Sequence, residues 1–357
     1  MTPAVRPVTH ELRFTQVASG ARIAWARSGR HGGPVLVRLG QWMTHVEHDL
    51  QSTIWRPWLE ALGRTLEVVR YDERGCGLSG QDDMPLNLES AVEDLDAVVT
   101  ARGAPKVALL GISASVPAAV VYAARHPERV SRLILLGGYT HGLMCRDPSA
   151  EVAAYLEARV RLIELGWARA DPAVQAFFTS TMLPEASAAE AASLNEQQRL
   201  SCDGAQAARI LRARTLLDAR EDAPRVRAPT LVLHCAGDQS VPVKLGHELT
   251  AAIPGARFEA LDSRNHIPLA SSPCFARFCE LVSEFVNVAP EAPSLTPRER
   301  ELADLVAQGL DNLQIAARLG VADKTVRNAL SALYTKLAVE GRPQAIVRAR
   351  DLGFGRS

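Results

Sequence analysis

A buried strand that ends in serine and passes directly into a helix constrains the fold of this chain more than any other stretch. Residues 107–119 read VALLGISASVPAA, in which an apolar run closes on Gly111 and Ser113 and a helical pattern follows at once. A serine at such a sharp turn takes a strained backbone conformation that holds its hydroxyl clear at the top of a sheet, within reach of a substrate carbonyl. Ser113 is therefore the candidate nucleophile. Two residues later, where such a turn normally has glycine, the chain has Ser115, a small residue that we expect the turn to accept.

Length and composition bound the number of domains and the kind of partner. A chain of 357 residues is longer than one ordinary domain, so we expect one large and one small domain or two of similar size. With 47% apolar residues, 22% charged residues and a formal net charge of zero, the composition is globular and has no chain-wide basic field. A nucleic-acid partner therefore has to be sought in local patterns.

The cysteines and the apolar runs indicate a cytoplasmic protein. The six cysteines include no C-x-x-C pair, and several lie in apolar or glycine-rich contexts, which is typical of reduced thiols. The N-terminal residues lack the apolar core of a signal peptide, and no run is long enough to span a bilayer. Because no metal-ligand spacing is present either, we expect no metal, no cofactor and no membrane contact.

The order of the predicted elements indicates an α/β fold. Short strands alternate with helices, which predicts a mostly parallel sheet with right-handed crossovers. Besides the strand before Ser113, the predicted strands are Leu12–Gln16, Arg22–Arg27, Pro34–Leu39, Leu66–Tyr71, Ser131–Leu136, Pro229–Cys235 and Arg257–Leu261. The predicted helices are Val46–Leu62, Leu88–Arg102, one that ends at Arg125, and one from Pro273 to about Phe285.

Two changes of character divide the chain. From about residue 139 to residue 222 the sequence is rich in Ala, Leu and Glu with helical periodicity, as in Ala150–Leu165 and Gln206–Ala219, which predicts a helical cap inserted over the sheet edge. Residues 288–294 are punctuated by proline and have no apolar face, which is typical of a linker. We therefore expect a first domain at residues 1–287 and a second, all-helical one at residues 295–357.

Three residue types in the first domain make a pattern suited to nucleophilic catalysis. Ser113, Asp238 and His266 follow each other in the order nucleophile, acid and base, and each comes just after a predicted strand. A serine hydroxyl is a poor nucleophile until an imidazole accepts its proton, and the imidazole needs a carboxylate to fix its tautomer. A lone serine after a strand or a lone histidine before a helix is usually structural, but the joint order favours a triad.

Four motifs in this order resemble the α/β-hydrolase superfamily over roughly residues 12–287. They are the run DERGCGLS at residues 72–79, Gly111-Ile112-Ser113, the turn that ends at Asp238, and His266. Within the first motif we expect Asp72 and Glu73 to be structural residues that hold the turn at Arg74.

The resemblance also implies an oxyanion site. Its donors are the backbone N–H of Ala114 and one from the loop after Leu39, for which Gln41 and Trp42 are the candidates. Many relatives open this loop with a His-Gly pair that the chain lacks. Loss of one oxyanion donor typically lowers turnover ~10²–10³-fold. This departure favours slow turnover, or a domain that only binds its ligand.

A pattern typical of a helix-turn-helix follows the linker. Thr296, Pro297 and Glu299 predict a capped helix start, and Gly309 ends that helix. A second helix is predicted at Asn312–Leu319 and a third at Asp323–Leu337. From residue 294 onward, ten Lys and Arg against seven Asp and Glu leave a local excess of three positive charges. The outward face of the third helix carries donors suited to phosphates and base edges, namely Lys324, Thr325, Arg327, Asn328, Ser331 and Lys336.

The same stretch resembles the LuxR-type DNA-binding domain almost without interruption from Leu295 to Phe354. The matching runs are LTPRERE from residue 295, VAQG from 306, IAARL from 315, KTV from 324 and KL from 336. The resemblance implies that the third helix enters the major groove and that a last helix, about Arg342–Leu352, pairs two such domains on DNA. Two positions depart from the family pattern: Ala329, often histidine, and Ala322, where a capping serine is common. The second departure costs ~0.5–2 kcal/mol of helix stability unless Asp323 caps instead.

The two halves together predict a one-component transcriptional regulator. An α/β-hydrolase-like domain would bind, and possibly hydrolyse, a small-molecule effector, and the helix-turn-helix would bind double-stranded operator DNA as a homodimer. The alternative is a serine esterase-type hydrolase whose helical appendage serves dimerisation or localisation. Ligand-tuned, sequence-specific DNA binding would favour the first interpretation, and turnover without specific DNA binding would favour the second.

Overall fold

The structure is a computed structural model that describes residues 10–80, 84–167, 171–287, 295–337, 339 and 341–355. The chain divides into two compact units, a first unit at Met1–Asn287 and a second unit at Val288–Ser357. Within the described ranges, no helix is both long and apolar enough to cross a membrane.

The first unit is built on one sheet. Its strands are β1 (Glu11–Gln16), β2 (Arg22–Gly29), β3 (Val35–Arg38), β4 (Glu67–Tyr71), β5 (Val107–Ile112), β6 (Val130–Leu136), β7 (Thr230–Cys235) and β8 (Arg257–Leu261). Among the described residues they form an eight-stranded sheet in the order β1-β2-β4-β3-β5-β6-β7-β8. β2 pairs antiparallel with both β1 and β4, and the pairs from β4 to β8 are parallel, which confirms the mostly parallel sheet.

Helices cover both faces of the sheet because alternate strand residues are apolar on both sides. On one face Val37 and Leu109 pack with α2 (Leu88–Arg102), α3 (Val116–Arg125) and α9 (Val243–Ala252). On the other face Leu36 and Leu110 pack with α1 (Trp55–Leu62) and α10 (Cys274–Asn287). The carboxyl ends of the parallel strands consequently meet at one edge, where ligands bind in folds of this class.

Among the described residues, five α-helices between β6 and β7 form the cap that the sequence predicts. They are α4 (Leu143–Arg146), α5 (Ala150–Gly166), α6 (Pro172–Met182), α7 (Ala188–Ser201) and α8 (Gly204–Arg214). Apolar residues of α5, α6 and α8 pack with Met43 and Cys76 of the sheet-edge loops. The cap is therefore fastened to the loops that surround the carboxyl edge.

Two predicted helices are shorter than expected. The helix predicted at Val46–Leu62 is an α-helix only from Trp55, because Ser52 Oγ accepts the N–H groups of Ile54 and Trp55 at 3.2 and 3.3 Å and starts the helix there. The helix predicted at Gln206–Ala219 ends at Arg214. Beyond Arg214, the N–H of Ala219 donates to the carbonyl of Thr140 instead of to a carbonyl within the helix.

The second unit contains α11 (Pro297–Ala307), α12 (Asn312–Leu319), α13 (Asp323–Leu337) and α14 (Arg342–Asp351). The predicted capping box is present, since Thr296 Oγ1 accepts the N–H of Glu299 at 3.3 Å and the N–H of Thr296 donates to Glu299 Oε2 at 2.8 Å. Gly309 follows α11 with a φ of 84°, as a helix-ending glycine requires. The buried side of α13 is formed by Val326, Leu330, Leu333 and Leu337.

Candidate active site and recognition helix

Ser113 lies in a strained turn between β5 and α3. Its φ is 54°, a value that, among the described non-glycine residues, recurs only at Met43. Gly111 allows this turn, because a Cβ there would lie 3.0 Å from the Cβ of Ala119. Ser115 fits where glycine is usual, since its hydroxyl accepts the N–H of Ile112 and donates to the carbonyl of Ile112, each at 2.9 Å. The predicted nucleophile therefore has the backbone conformation that presents a serine hydroxyl to a ligand.

Asp238 and His266, predicted from separate loops, are in contact. His266 Nδ1 lies 2.6 Å from Asp238 Oδ2. The other carboxylate oxygen, Oδ1, accepts the N–H groups of Ser240 and Val241 at 2.8 and 3.0 Å, so the turn after β7 fixes the carboxylate. The imidazole lies against Gly137 at the end of β6, where a Cβ would come within 3.1 Å of its Cε1. Asp238 is thus placed to hold the imidazole as the acid of a triad does.

The remaining nitrogen of His266 has no partner among the described residues. Nε2 is buried and makes no hydrogen bond to any described residue, so Ser113 and His266 are at the same sheet edge without being hydrogen-bonded to each other. Hydrogen bonds of this kind are often long in ligand-free sites and tighten when substrate binds. A buried imidazole nitrogen that is left open in this way is available to accept a proton.

The electrostatics at Asp238 favour its ionised form. Burial raises the pKa of this carboxyl, but the facing His266 and the hydrogen bonds from His234, His266 and the Val241 N–H outweigh it and hold the pKa well below its usual range. His234 Nε2 lies 3.5 Å from Asp238 Oδ2 and 2.9 Å from the carbonyl of Val241. Sequence reasoning missed His234, although its position four residues before Asp238 was a usable signal.

The three predicted oxyanion donors are backbone N–H groups that no described residue accepts. They belong to Gln41, Trp42 and Ala114. Gln41 and Ala114 are buried, and Trp42 is half-buried. They are consequently free to donate to a ligand oxygen.

The loop that carries Gln41 and Trp42 is held by the cap. The carbonyl of Gln41 accepts Arg214 Nη2 at 2.9 Å, and Trp42 Nε1 donates to Gln198 Oε1 at 3.0 Å. The carbonyl of Met43 accepts Gln197 Nε2, also at 2.9 Å. Three consecutive residues of the oxyanion loop therefore take their positions from α7 and α8 of the cap.

Glu73 is structural, as expected, and its carbonyl accepts the N–H of Cys76 within the turn at 2.9 Å, but its side chain does not hold the turn. Asp72 holds its turn, since it accepts the N–H groups of Val46 and Leu78 at 2.9 Å each. Glu73 instead forms an ion pair with Arg214, at the end of α8. Burial raises the pKa of Glu73, and the attraction of Arg214 opposes that rise. The correction has a topological cause, because the two residues meet only once the cap has folded over the sheet edge.

Arg74 takes a different pair of carboxylates. Its Nε lies 3.0 Å from both oxygens of Asp94 on α2, and its Nη2 lies 2.8 Å from Glu93. The turn at Arg74 is therefore tied to α2, whereas Glu73 is tied to the cap.

The six residues predicted to contact DNA are all exposed on α13 of the second unit. Two of them are engaged within the unit: Arg327 Nη2 lies 2.5 Å from Asp323 Oδ2, and Lys336 Nζ lies 2.7 Å from Glu299 Oε2. Such exposed pairs contribute little stability, so they leave both cations available to a phosphate. Asp323, the alternative cap that the sequence offers for α13, pairs with Arg327 instead. The carbonyl of Ala322 accepts the N–H groups of Thr325 and Val326.

The last helix presents Val347 to solvent. This side chain of α14 is 61% exposed, whereas Ala349 is buried. Arg342 donates to Asn312 Oδ1 at 2.6 Å and Arg350 Nε to the carbonyl of Ala307 at 2.8 Å. Both arginines thus fasten α14 to its own unit, and Val347 remains as the candidate contact to a second copy.

Comparison with known proteins identifies the family of the first unit. Residues 34–273, more than half of the chain, match the family described as alpha/beta hydrolase fold. The chain belongs to the alpha/beta hydrolase fold family. It is 28% identical over 225 residues to the putative carbamate hydrolase RutD of Azorhizobium caulinodans, covering 61% of this chain and 81% of RutD. A crystal structure of a hydrolase from Pseudomonas aeruginosa has the same fold, with a TM-score of 0.64 and 23% identity over 78% of this chain and 98% of that one.

The second unit of this alpha/beta hydrolase-fold chain matches a different family. Residues 293–349 match the family described as bacterial regulatory proteins, luxR family. The DNA-binding transcriptional activator DevR/DosR of Mycobacterium tuberculosis is 50% identical over 58 residues, which are 16% of this chain and 27% of that protein. The chain thus joins a hydrolase-fold unit to a LuxR-type helix-turn-helix, an architecture that fits a regulator.

Proposed function

We propose that the chain is a one-component transcriptional regulator in which the first unit binds a small-molecule effector and the second unit binds operator DNA as a homodimer. The observation that carries the proposal is the union, in one chain, of a LuxR-type unit with a hydrolase-fold unit. The exposed cations and amides of α13 support the DNA-binding part, since a helix with this face suits phosphates and base edges.

Binding-site selection from a random duplex pool tests this function. The selection is run on the full-length chain, with and without candidate esters and lactones. We expect a selected sequence with two-fold symmetry, whose affinity for the protein changes when an effector is present. A pool that stays random after repeated selection would contradict the proposal.

Hydrolysis of the effector is a second candidate function of the same unit. It is supported by the strained φ of Ser113, the 2.6 Å contact between Asp238 and His266, and the three backbone N–H donors that no described residue accepts. In this reaction His266 Nε2 takes the proton of the Ser113 hydroxyl as the hydroxyl oxygen attacks the carbonyl carbon of the effector. The N–H donors stabilise the oxyanion that forms from the carbonyl oxygen. Hydrolysis and DNA binding are compatible, because hydrolysis would remove the effector to which DNA binding responds and so end the response.

The alternative is an esterase-type enzyme whose second unit only dimerises or localises it. Turnover of an ester with no retention of any selected duplex would favour that alternative. Binding without turnover would make the first unit a receptor, in which Ser113→Ala still binds the effector and still responds on DNA.

A further inference from the structure

Two cysteines from distant parts of the first unit meet where the cap joins the sheet edge. Cys76 lies in the turn that follows β4, and Cys202 lies in the short link between α7 and α8 of the cap. Both are free thiols, and both are buried in the cluster of apolar residues that fastens the cap to the sheet-edge loops. The two thiols therefore lie on opposite sides of the junction between the cap and the sheet.

The backbone beside the two cysteines places them opposite each other. The N–H of Gly77, the residue after Cys76, donates to the carbonyl of Ser201, the residue before Cys202, at 2.7 Å. A bond in this position is one of the two that flank a directly opposed, non-hydrogen-bonded pair in an antiparallel ladder, where the side chains come closest and the Cα atoms are about 4.5 Å apart. Disulfides span Cα separations of about 4.4–6.8 Å. The local backbone pattern is therefore one that a disulfide can bridge.

Each side of this junction is fixed by its own contacts. Gly77 has a φ of 55°, and a Cβ there would overlap Oδ2 of Asp72, so the turn after β4 reaches the cap only because this residue has no side chain. On the cap side, the carbonyl of Cys202 accepts Nε1 of Trp167 at 3.0 Å. The two cysteines consequently stay opposite each other while the cap is in place.

The sulfur atoms are in contact as well. The thiol of Cys76 is hydrogen-bonded to that of Cys202, and Cys202 Sγ donates to Sδ of Met43 at 3.3 Å. The hydrogen bond to Cys202, together with burial, raises the pKa of the Cys76 thiol well above its usual range. A thiol that keeps its proton reacts slowly, since the thiolate is the nucleophile. The pair is therefore stable as two thiols at neutral pH until an oxidant reaches it.

We propose that Cys76 and Cys202 form a modification site, at which hydrogen peroxide joins the two thiols in a disulfide that ties the cap to the turn after β4. The sulfur of one deprotonated thiol attacks a peroxide oxygen and forms a sulfenic acid, and the hydroxide that leaves takes up the proton as water. The sulfur of the second cysteine then attacks the sulfenic sulfur, the S–S bond forms, and the remaining oxygen leaves as a second water. Two electrons pass from the two sulfurs to the peroxide oxygens.

The disulfide changes how the cap is held. In the reduced protein the cap is fastened at this point by packing and hydrogen bonds alone, and it can separate from the turn when these contacts break. In the oxidised protein the same separation requires a covalent bond to break. The cross-link also closes a long loop of the unfolded chain, which is the case in which a disulfide restricts that chain most. Oxidation should therefore slow local opening at the junction and stabilise the first unit.

Peptide mapping of the full-length chain tests whether the disulfide forms. The protein is reduced, freed of reductant, treated with hydrogen peroxide, alkylated in denaturant and digested with trypsin without reduction. We expect the peptides 75–102 and 200–209 to be cross-linked, at least tenfold more abundantly than any other pair of cysteine peptides, and the cross-link to form faster as the pH rises. Free or over-oxidised cysteines at both positions once the half-buried Cys145 is fully oxidised, or a cross-link mainly to another cysteine, would overturn the proposal.

Hydrogen–deuterium exchange and thermal unfolding of the same samples test what the disulfide does. In the oxidised protein the N–H of Gly77, which bonds across the junction, should exchange at least tenfold more slowly than in the reduced protein, and the midpoint of thermal unfolding should rise by about 5 °C. Exchange and a midpoint that are the same in both states would overturn the proposal.

Two cysteine variants provide the matched controls. Cys202→Ala should lose both effects of oxidation, whereas Cys145→Ala, which changes a half-buried cysteine elsewhere in the cap, should keep them. Each variant is compared with its own reduced sample, so a loss of stability caused by the substitution itself does not enter the result. Effects of oxidation that persist in Cys202→Ala would overturn the proposal. The measurements use neither DNA nor an effector, so their outcome is independent of the proposed regulatory function.

Discussion

His266 Nδ1 lies 2.6 Å from Asp238 Oδ2, although the two residues belong to loops that follow different strands. The contact orients the imidazole, and it leaves Nε2 buried without a partner among the described residues. A base that is oriented before the ligand arrives needs no reorganisation to accept a proton.

From this geometry we predict that a fluorophosphonate probe labels Ser113. His266→Ala should lower the labelling rate at least a hundredfold, because general-base assistance contributes typically ~10²–10⁴-fold. Mass spectrometry of the labelled peptide locates the modified serine, and His31→Ala, which changes an exposed histidine, is the matched control. Labelling that persists in His266→Ala, or that falls on Ser115, would show that the triad assignment is wrong.

We also predict that DNA binding resides in α13 and is sensitive to salt. Lys324→Ala with Arg327→Ala should weaken binding to the selected duplex at least tenfold. The slope of the logarithm of the binding constant against the logarithm of the salt concentration should also fall, by an amount that corresponds to roughly two released counterions. Anisotropy titrations at several salt concentrations measure both effects. Lys244→Ala with Arg257→Ala removes two exposed cations of the first unit and should leave both quantities unchanged. Equal losses in the two double variants would refute the assignment of α13.

The exposed Val347 provides a test of pairing on DNA. Val347→Ser should lower the affinity for a complete inverted repeat toward that for a single half-site, because a symmetric interface would lose the same contact twice. Leu313→Ser is the matched control, since Leu313 of α12 is 71% exposed and lies outside the last helix. If footprints on the inverted repeat are the same for both variants and the wild-type protein, α14 does not pair the two copies.

The buried carboxyl of Asp72 predicts a dependence of stability on pH. Burial raises the pKa of Asp72 to about 7 from 3.8, against the opposing hydrogen bonds from the N–H groups of Leu78 and Val46. Because the folded state holds the proton more tightly than the unfolded chain, this group stabilises the fold below about pH 4, and the contribution is lost as the pH rises through about 7.

Denaturant unfolding across this range measures the effect. The free energy of unfolding of Asp72→Asn should vary less between about pH 4 and pH 7 than that of the wild-type protein. Asp262→Asn, which changes an exposed carboxylate, should keep the wild-type dependence. A pH dependence in Asp72→Asn that equals the wild type's would contradict the prediction.

Much of the fold was predictable because its signals are local. Apolar runs predicted the strands to within one or two residues, and the caps at Thr296 and Gly309 bounded α11. Two helix lengths were wrong because a side-chain cap at Ser52 and a backbone bond to Thr140 override helical periodicity. The helix α9 was not predicted, although Val243–Ala252 carries its own apolar face.

The site was only partly predictable. The order of Ser113, Asp238 and His266 could be read from the sequence, since each follows a strand of one parallel sheet. The pairing of Glu73 with Arg214 could not, because it joins residues 141 apart that meet only through the cap. A run of arginines at the end of α8 was the one local signal, and nothing in it indicates which carboxylate it faces.

We expect a ligand bound in the first unit to change the affinity of the second unit for DNA. The most direct test is anisotropy of the selected duplex with full-length Ser113→Ala protein, with and without a saturating amount of the ester or lactone probe that binds the first unit most tightly. We predict at least a fivefold change in the Kd for the duplex, and the same factor in the Kd for the probe when the duplex is present, because coupling between two sites is reciprocal. A Kd for the duplex that stays the same at saturating probe would contradict the account.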